Sequence, residues 1–257
     1  MPASVRWPMS PFPTTAIAGE AIFSGCICTI GIARDVIASH LPHGVALRSS
    51  NSETHPCLLA FGEQSQGTTF FGGFSLPWGI RYHELMVAVP FVSWQGAAVE
   101  YLFVSTMACD FWPAVWNGNF YYGFKKRFAR MGWSGDHFAV ADDSESTGLD
   151  AVLHSGSGEA PDATLERICA AAALPVLGHR QDGVFVTSCF DWDFRGAAVD
   201  AATLELVRGK YLPELPFTAA ARHHDACRIQ GMRWRLGWPT PANARRQPYN
   251  SPDTGRA

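Results

Sequence analysis

Residues 110–127 read DFWPAVWNGNFYYGFKKR, and the reading of the whole chain turns on them. Of the 20 basic residues 17 are arginines, and the three lysines are Lys125, Lys126 and Lys210, two of them adjacent at the end of this stretch. A lysine amine attacks a carbonyl only when part of it is unprotonated, so its pKa must fall from about 10.4 toward neutrality through burial or a neighbouring cation. Lys126 lies between Lys125 and Arg127, with Phe124 and Phe128 flanking and Tyr121 and Tyr122 just upstream, so the segment offers both. On chemistry alone a solvated basic face remains the ordinary explanation of such a run.

Upstream, residues 82–92 and 97–107 are β-prone runs separated by Ser93-Trp94-Gln95-Gly96, a hairpin signature, and should be neighbours in one sheet. Residues 21–32 suit a strand, and 34–40 a short helix stopped at Leu41-Pro42. The Gly-, Phe- and Thr-rich residues 64–79 suggest an irregular excursion with strand-like pieces, and 141–159 a polar, turn-prone connection. Downstream, 164–173 is a helix candidate and 183–190 and 197–207 read as strands, although 197–207 could also begin a helix. In 231–238, Met232, Trp234, Leu236 and Trp238 stand at every second position, with Arg233 and Arg235 between them, the period of a strand with one wet face. Without a repeat or linker, residues 1–239 form one expected domain and 240–257 a flexible tail.

Hydrophobic residues make up 47% of the 257 and charged ones 17%, which excludes disorder over most of the length. A net charge of -3 and a pI near 6.3 carry no electrostatic footprint for nucleic acid. Residues 1–15 lack a basic-then-apolar signal pattern and the apolar run 16–33 is broken by Glu20, so a cytoplasmic protein that spans no membrane is expected. The seven cysteines include no CxxC pair, and Cys26 and Cys28 read as small buried residues rather than metal ligands.

The stretch 110–127 resembles a segment of the acetoacetate decarboxylase family, in which an acidic residue and Pro-Ala precede a Gly, and the Gly precedes an aromatic-Pro-Lys-Lys tetrad. Asp110, Pro113-Ala114, Gly118 and Phe124 fall in that order without a gap. Counting from Gly118 and Phe124, the family's imine-forming lysine matches Lys126 and its second lysine Arg127, while Lys125 takes the place of the proline. The family's Gly-Arg-Glu is here Gly118-Asn119-Phe120. Upstream, Tyr82-His83-Glu84 resembles the family's Tyr-x-Glu, whose glutamate lies in the active site. Leu204-Glu205-Leu206, residues 212–216 and Trp238-Pro239 resemble its C-terminal third. Where decarboxylating members carry an active-site arginine, ungapped matching back from Pro42 gives Gly31, with Arg34 nearby but out of register.

The resemblance implies an α+β protein, a single domain dominated by a closed or cone-like antiparallel β-sheet with a few peripheral helices and the lysine inside. It also implies a homo-oligomer that needs no cofactor and acts on a small keto acid or ketone. Lys126 would form the imine and Glu84 shuttle protons, with Lys125 and Arg127 tuning the amine and Tyr82 and Phe124 lining the pocket. Activation of a lysine by a second cation is a known property of acetoacetate decarboxylase itself and is carried over with the resemblance. A carbon–carbon lyase is expected, but the same enamine follows loss of CO2, retro-aldol cleavage or deprotonation. Decarboxylase, aldolase and dehydratase therefore stay open, as does a non-catalytic member binding a small carbonyl compound, and Lys125 is the near rival of Lys126. Other clusters read as structural: His223 and His224 point to opposite sides of a strand, and Asp191 and Asp193 have no matching acid or metal ligand nearby in sequence.

Overall fold

Along the first strand, β1 (Ile17–Ala33), Cys26, Cys28 and Ile30 face one apolar core while Phe23 and Ile27 face a second. Both sides are covered, so the segment reads as a nearly continuous apolar run. The computed structural model describes residues 17–71, 74–95, 97, 99–141, 147–209 and 223–242. After β1 come α1 (Arg34–His40), β2 (Val45–Leu47), β3 (Thr54–Phe71), β4 (Phe74–Trp94), β5 (Tyr101–Cys109) and α2 (Trp112–Asn117). A π-helical turn (Gly118–Tyr122) leads to β6 (Lys126–Phe128), β7 (Arg130–Ser134), β8 (His137–Ala141), β9 (Thr147–Glu159) and α3 (Asp162–Ala172). The chain ends on β10 (Val176–His179), β11 (Phe185–Ser188), β12 (Phe190–Asp193), β13 (Ala198–Gly209), β14 (His223–Gly237) and β15 (Thr240–Pro241).

One sheet takes up all of these strands, in the order β15-β11-β10-β5-β4-β3-β1-β14-β13-β9-β8-β7, with β12 on β14, β2 on β4 and β6 on β5. Pairing is antiparallel except where β10 and β6 run parallel to β5. With three α-helices on this sheet the class is α+β, as expected. Among the described residues the hydrogen-bonded path does not return on itself, so the closed sheet expected from the sequence is not formed by backbone pairing. Instead the sheet curls until the edge hairpin meets β3 by side chains: the ring of Phe61 lies 4.8 Å from Phe138 and 5.7 Å from Trp133. α3 covers the second core with Leu165, Ile168 and Ala171.

Two segments depart from their sequence reading. In residues 64–71 and 74–79 the strand-like pieces are continuous strand and not an excursion, because the β3–β4 ladder continues through Gln64↔Tyr82 and Gly67↔Ile80 to Thr69↔Leu76, its glycines absorbed by register shifts around Gly67. Residues 147–159 form β9, where Leu149, Ala151 and Leu153 are buried at every second position within a polar sequence. The strand expected over 183–190 divides at Cys189 into β11 and β12, and Thr240 and Pro241 of the expected tail pair with β11. Lys210, residues 212–216 and the tail from 243 lie outside the described residues. No helix among the described residues is long and apolar enough to cross a membrane.

Candidate active site

Strand alternation puts Glu84 on the side of β4 that also carries Met86 and Ala88, which face the second core. Cys109 of β5 stands opposite Glu84, and the other edge of β5 pairs with β6, Met107 facing Lys126. These two registers bring together residues 42 positions apart: Lys126 Nζ donates to Glu84 Oε2 at 2.6 Å. The side chains are 9% and 11% exposed, so the pair is held largely out of water.

The segment before Lys126 is built to deliver it there. Pro113 suits the first turn of α2, where its missing N–H costs no helical bond. The helix passes into the π-helical turn, which ends on Gly123 at φ +66°. A Cβ at Gly123 would lie 2.5 Å from the carbonyl carbon of His179, so close backbone approach and positive φ both demand glycine. Asn119, on the turn, clamps the lysine backbone from both sides. Its Nδ2 donates to Lys126 O at 2.7 Å, and Lys126 N donates to its Oδ1 at 2.5 Å. Gly118 lies under the lysine stem, where a Cβ would approach Lys126 Cδ to 2.7 Å.

Burial pushes the Lys126 amine down, but the Glu84 carboxylate, aided by Cys109 and by the hydrogen bond itself, outweighs it and holds the pKa above the ordinary lysine range. The contact therefore favours the ammonium form of Lys126. This differs from the expected lowering by adjacent cations: Arg127 alternates to the other side of β6, and Lys125, which precedes the strand, turns off at φ +48°. Lys125 is exposed and its charge acts on His179; Arg127 is part-buried and does not shift the amine. Burial also raises Cys109 to about 11, so a protonated thiol lies beside the pair. Tyr82, two positions before Glu84, is pushed up by burial and then by Glu84, Cys109 and Asp110, and its ring stacks on Phe111 at 5.7 Å. Phe124 is a core residue, stacked on Tyr122 at 5.1 Å. Asp110 is structural: it accepts from His83 N at 2.8 Å and bonds His83 Nδ1 at 2.9 Å, fixing β4 one residue from Glu84.

Beside Glu84 lies a narrow cavity whose polar lining is Glu84 and Gln64. Gln64 is not singled out by the sequence, because its segment has the composition of an irregular excursion. The only signal for it is the register that sets it opposite Tyr82, and that register is visible only in three dimensions. Asn119 escaped too, standing where the family has arginine.

No known family profile and no curated protein sequence matches the chain. Solved structures do. The acetoacetate decarboxylase of Legionella pneumophila subsp. pneumophila str. Philadelphia 1 superposes with TM-score 0.60 over 92% of each chain at 16% identity. The enduracididine biosynthesis enzyme MppR complexed with pyruvate gives 0.60 over 91% of each chain at 12% identity. An acetoacetate decarboxylase-like enzyme from Sphingomonas wittichii RW1 gives 0.58 over 92% of this chain and all of the other, at 14% identity. The fold is that of acetoacetate decarboxylase.

Within this acetoacetate decarboxylase-like fold the expected arginine position moves. Gly31 pairs with Pro56, whereas Gly25 is the β1 residue in register with Gly62 and, through it, Glu84. Six residues of strand, roughly 20 Å, separate the two. Arg34 sits at that far end, bonded to His55 Nδ1 at 3.3 Å and to Arg48 O at 2.5 Å. Arg81 alternates away from Glu84 and pairs with Glu63 at 3.2 Å, so that glutamate also lies outside the cavity. Lys125, at the proline's place, has φ +48°, which proline cannot adopt, so the local path differs from the family pattern.

Proposed function

We propose that this chain is a divergent acetoacetate decarboxylase-like enzyme that cleaves a carbon–carbon bond through an imine on Lys126, with Glu84 as its proton relay. The observation that carries the reading is the buried 2.6 Å contact between Lys126 Nζ and Glu84 Oε2. In a water-poor site the proton can pass along that contact, leaving a neutral amine beside a neutral acid. The amine attacks a ketone carbon, and the Glu84 proton leaves with the carbonyl oxygen as water, which yields a protonated imine and a carboxylate. A hydroxyl on the β-carbon then gives its proton to Glu84 as the α–β bond breaks, and the bonding pair moves into an enamine. Glu84 returns the proton to the α-carbon, and water hydrolyses the imine to ketone and ammonium.

Loss of CO2 from a β-keto acid would reach the same enamine. The retro-aldol form is preferred because Arg34 and Arg81 both lie away from the cavity, so neither serves as a carboxylate clamp. A structural neighbour described with the condensation product of pyruvate and imidazole 4-carboxaldehyde supports carbonyl chemistry of this kind in the fold. A homo-oligomer is part of the proposal, supported by the side-by-side exposure of Trp112, Trp116 and Phe120. Borohydride reduction in the presence of a methyl ketone, followed by peptide mapping, tests the imine. Label on Lys126 supports it, and label on Lys125 or Lys210 in its place overturns it.

A further inference from the structure

The cavity beside Glu84 is walled by two methionines and by the rings of Phe23, Phe190, Trp192 and Trp234, with Ala60 on β3 also lining it. It is narrow and opens to solvent at its mouth. Phe190 braces the wall, its ring 5.1 Å from Trp192 and 5.2 Å from Trp234. The one charged residue lining it is Glu84, which Lys126 already partners at 2.6 Å, so a second carboxylate entering here would find no free cation in a poorly solvated place.

Two polar groups in this wall are left with donors to spare. Gln64 is 5% exposed, and Trp234 Nε1, which can only donate, bonds its Oε1 at 2.6 Å. That contact fixes the amide orientation and leaves the NH2 end of Gln64 for whatever enters. Trp192 is 5% exposed, and its Nε1 is buried with no partner among the described residues, a costly state that an oxygen acceptor would relieve.

We infer that the cavity receives an uncharged, branched apolar substituent of the carbonyl substrate, and that a hydroxyl or keto oxygen on that substituent is read by the amide of Gln64. The substrate class is a neutral β-hydroxy or β-keto ketone with an alkyl branch, not a small keto acid. This assignment rests on Lys126 as the imine-forming residue for its catalytic meaning, but the pocket can be tested without the imine.

Secondary alcohols share the shape of the ketones and cannot form an imine, so ligand-observed NMR titrations with alcohols report the pocket alone. Three added carbons, at roughly fourfold per buried methylene, should make 4-methyl-2-pentanol bind at least about tenfold more tightly than 2-propanol or 3-hydroxybutyrate. Ala60→Phe should bring the ratio to about one. 2-Methylpentane-2,4-diol adds the acceptor, and Gln64→Met, which keeps the side chain's length, should weaken the diol about fivefold relative to 4-methyl-2-pentanol. Binding of 3-hydroxybutyrate as tight as that of the branched alcohols overturns the proposal, and so does a diol indifferent to Gln64→Met. The matching ketones are then tested for borohydride labelling. If the branched alcohols bind in the stated order while no ketone labels Lys126, the pocket stands and the imine reading falls.

Discussion

The aliphatic stem of Lys126 lies directly over Gly118, so close that a single methyl group there would sit 2.7 Å from Cδ and 2.9 Å from Cε. Gly118 has an ordinary helical backbone, φ -60°, so its need for glycine comes from the lysine and not from the main chain. Gly118→Ala should therefore fold with little loss of thermal stability yet push Nζ off Glu84. Borohydride labelling of Lys126 should fall at least about tenfold, since an ångström of misplacement costs on the order of a hundredfold in reactivity. Unchanged labelling would mean the stem has another route to the carboxylate.

Asn119 closes two hydrogen bonds on the Lys126 backbone. Asn119→Ala leaves both peptide groups part-buried and unpaired, which costs on the order of 1–3 kcal/mol. Asn119→Asp keeps the acceptor for Lys126 N but loses the donor to Lys126 O, so its stability should fall between the two. Urea denaturation of the three proteins gives the order directly, and an Asp variant as stable as wild type would remove the donor from the account.

For Glu84 the pH dependence has a definite sign. The folded pKa of Lys126 is raised above its unfolded value, so the ion pair's stabilisation is fully present below about pH 10.4 and is lost as pH rises through the folded pKa. Glu84→Gln removes the groups' main upward influence and leaves burial to act downward. The alkaline loss of stability should vanish, and the pH midpoint for Lys126 labelling should move down. Turnover should nevertheless fall by about a hundredfold, the usual scale for a missing proton relay. A labelling midpoint that stays put in Glu84→Gln would sink the electrostatic assignment.

Lys125 carries a left-handed backbone conformation at an exposed position. Lys125→Gly should match or exceed wild-type stability by about 0.5–1 kcal/mol and keep label on Lys126, whereas Lys125→Pro should be markedly destabilised. Thermal melts of the pair decide this. Loss of label in Lys125→Gly would restore Lys125 as the nucleophile.

Acetoacetate should be a poor substrate. With Arg34 and Arg81 held elsewhere and Lys126 already partnered by Glu84, its carboxylate finds no free partner of opposite charge in the cavity. CO2 release is expected to be far below the enzyme median of about ten per second, and manometric or coupled assays at that rate would reverse the preference for aldol chemistry.

The sequence carried the lysine and its glutamate because both sit in short motifs, one of aromatics and bases, the other Tyr82-His83-Glu84. It also carried α1, whose bounds Arg34–His40 are set by the proline that follows, and α3 to within two residues. It hid whatever depends on register. The alternation of Leu149, Ala151 and Leu153 was outweighed by polar neighbours, and the ladder through Gly67 was disguised by turn-like composition. The electrostatic tuning is hidden for the same reason: adjacency in sequence suggests contact, but Lys125 turns off before the strand begins and Arg127 alternates to its other side, while the charge that matters sits on another strand.

Because the curl of the sheet is fastened by the rings of Phe61, Trp133 and Phe138 and not by backbone pairing, the fold has a seam. Parting the hairpin from β3 would expose aromatic surface, a cost that scales with apolar area at about 25 cal/mol per Å². The closure weakens on cooling, as hydrophobic contacts do, while the ladders hold firm. The hairpin stays rooted beside β5, where Ala129 N donates to Cys109 O. A change in the volume of any one of the three rings would alter how readily the hairpin lifts from β3 without altering the strand order that places Lys126 against Glu84.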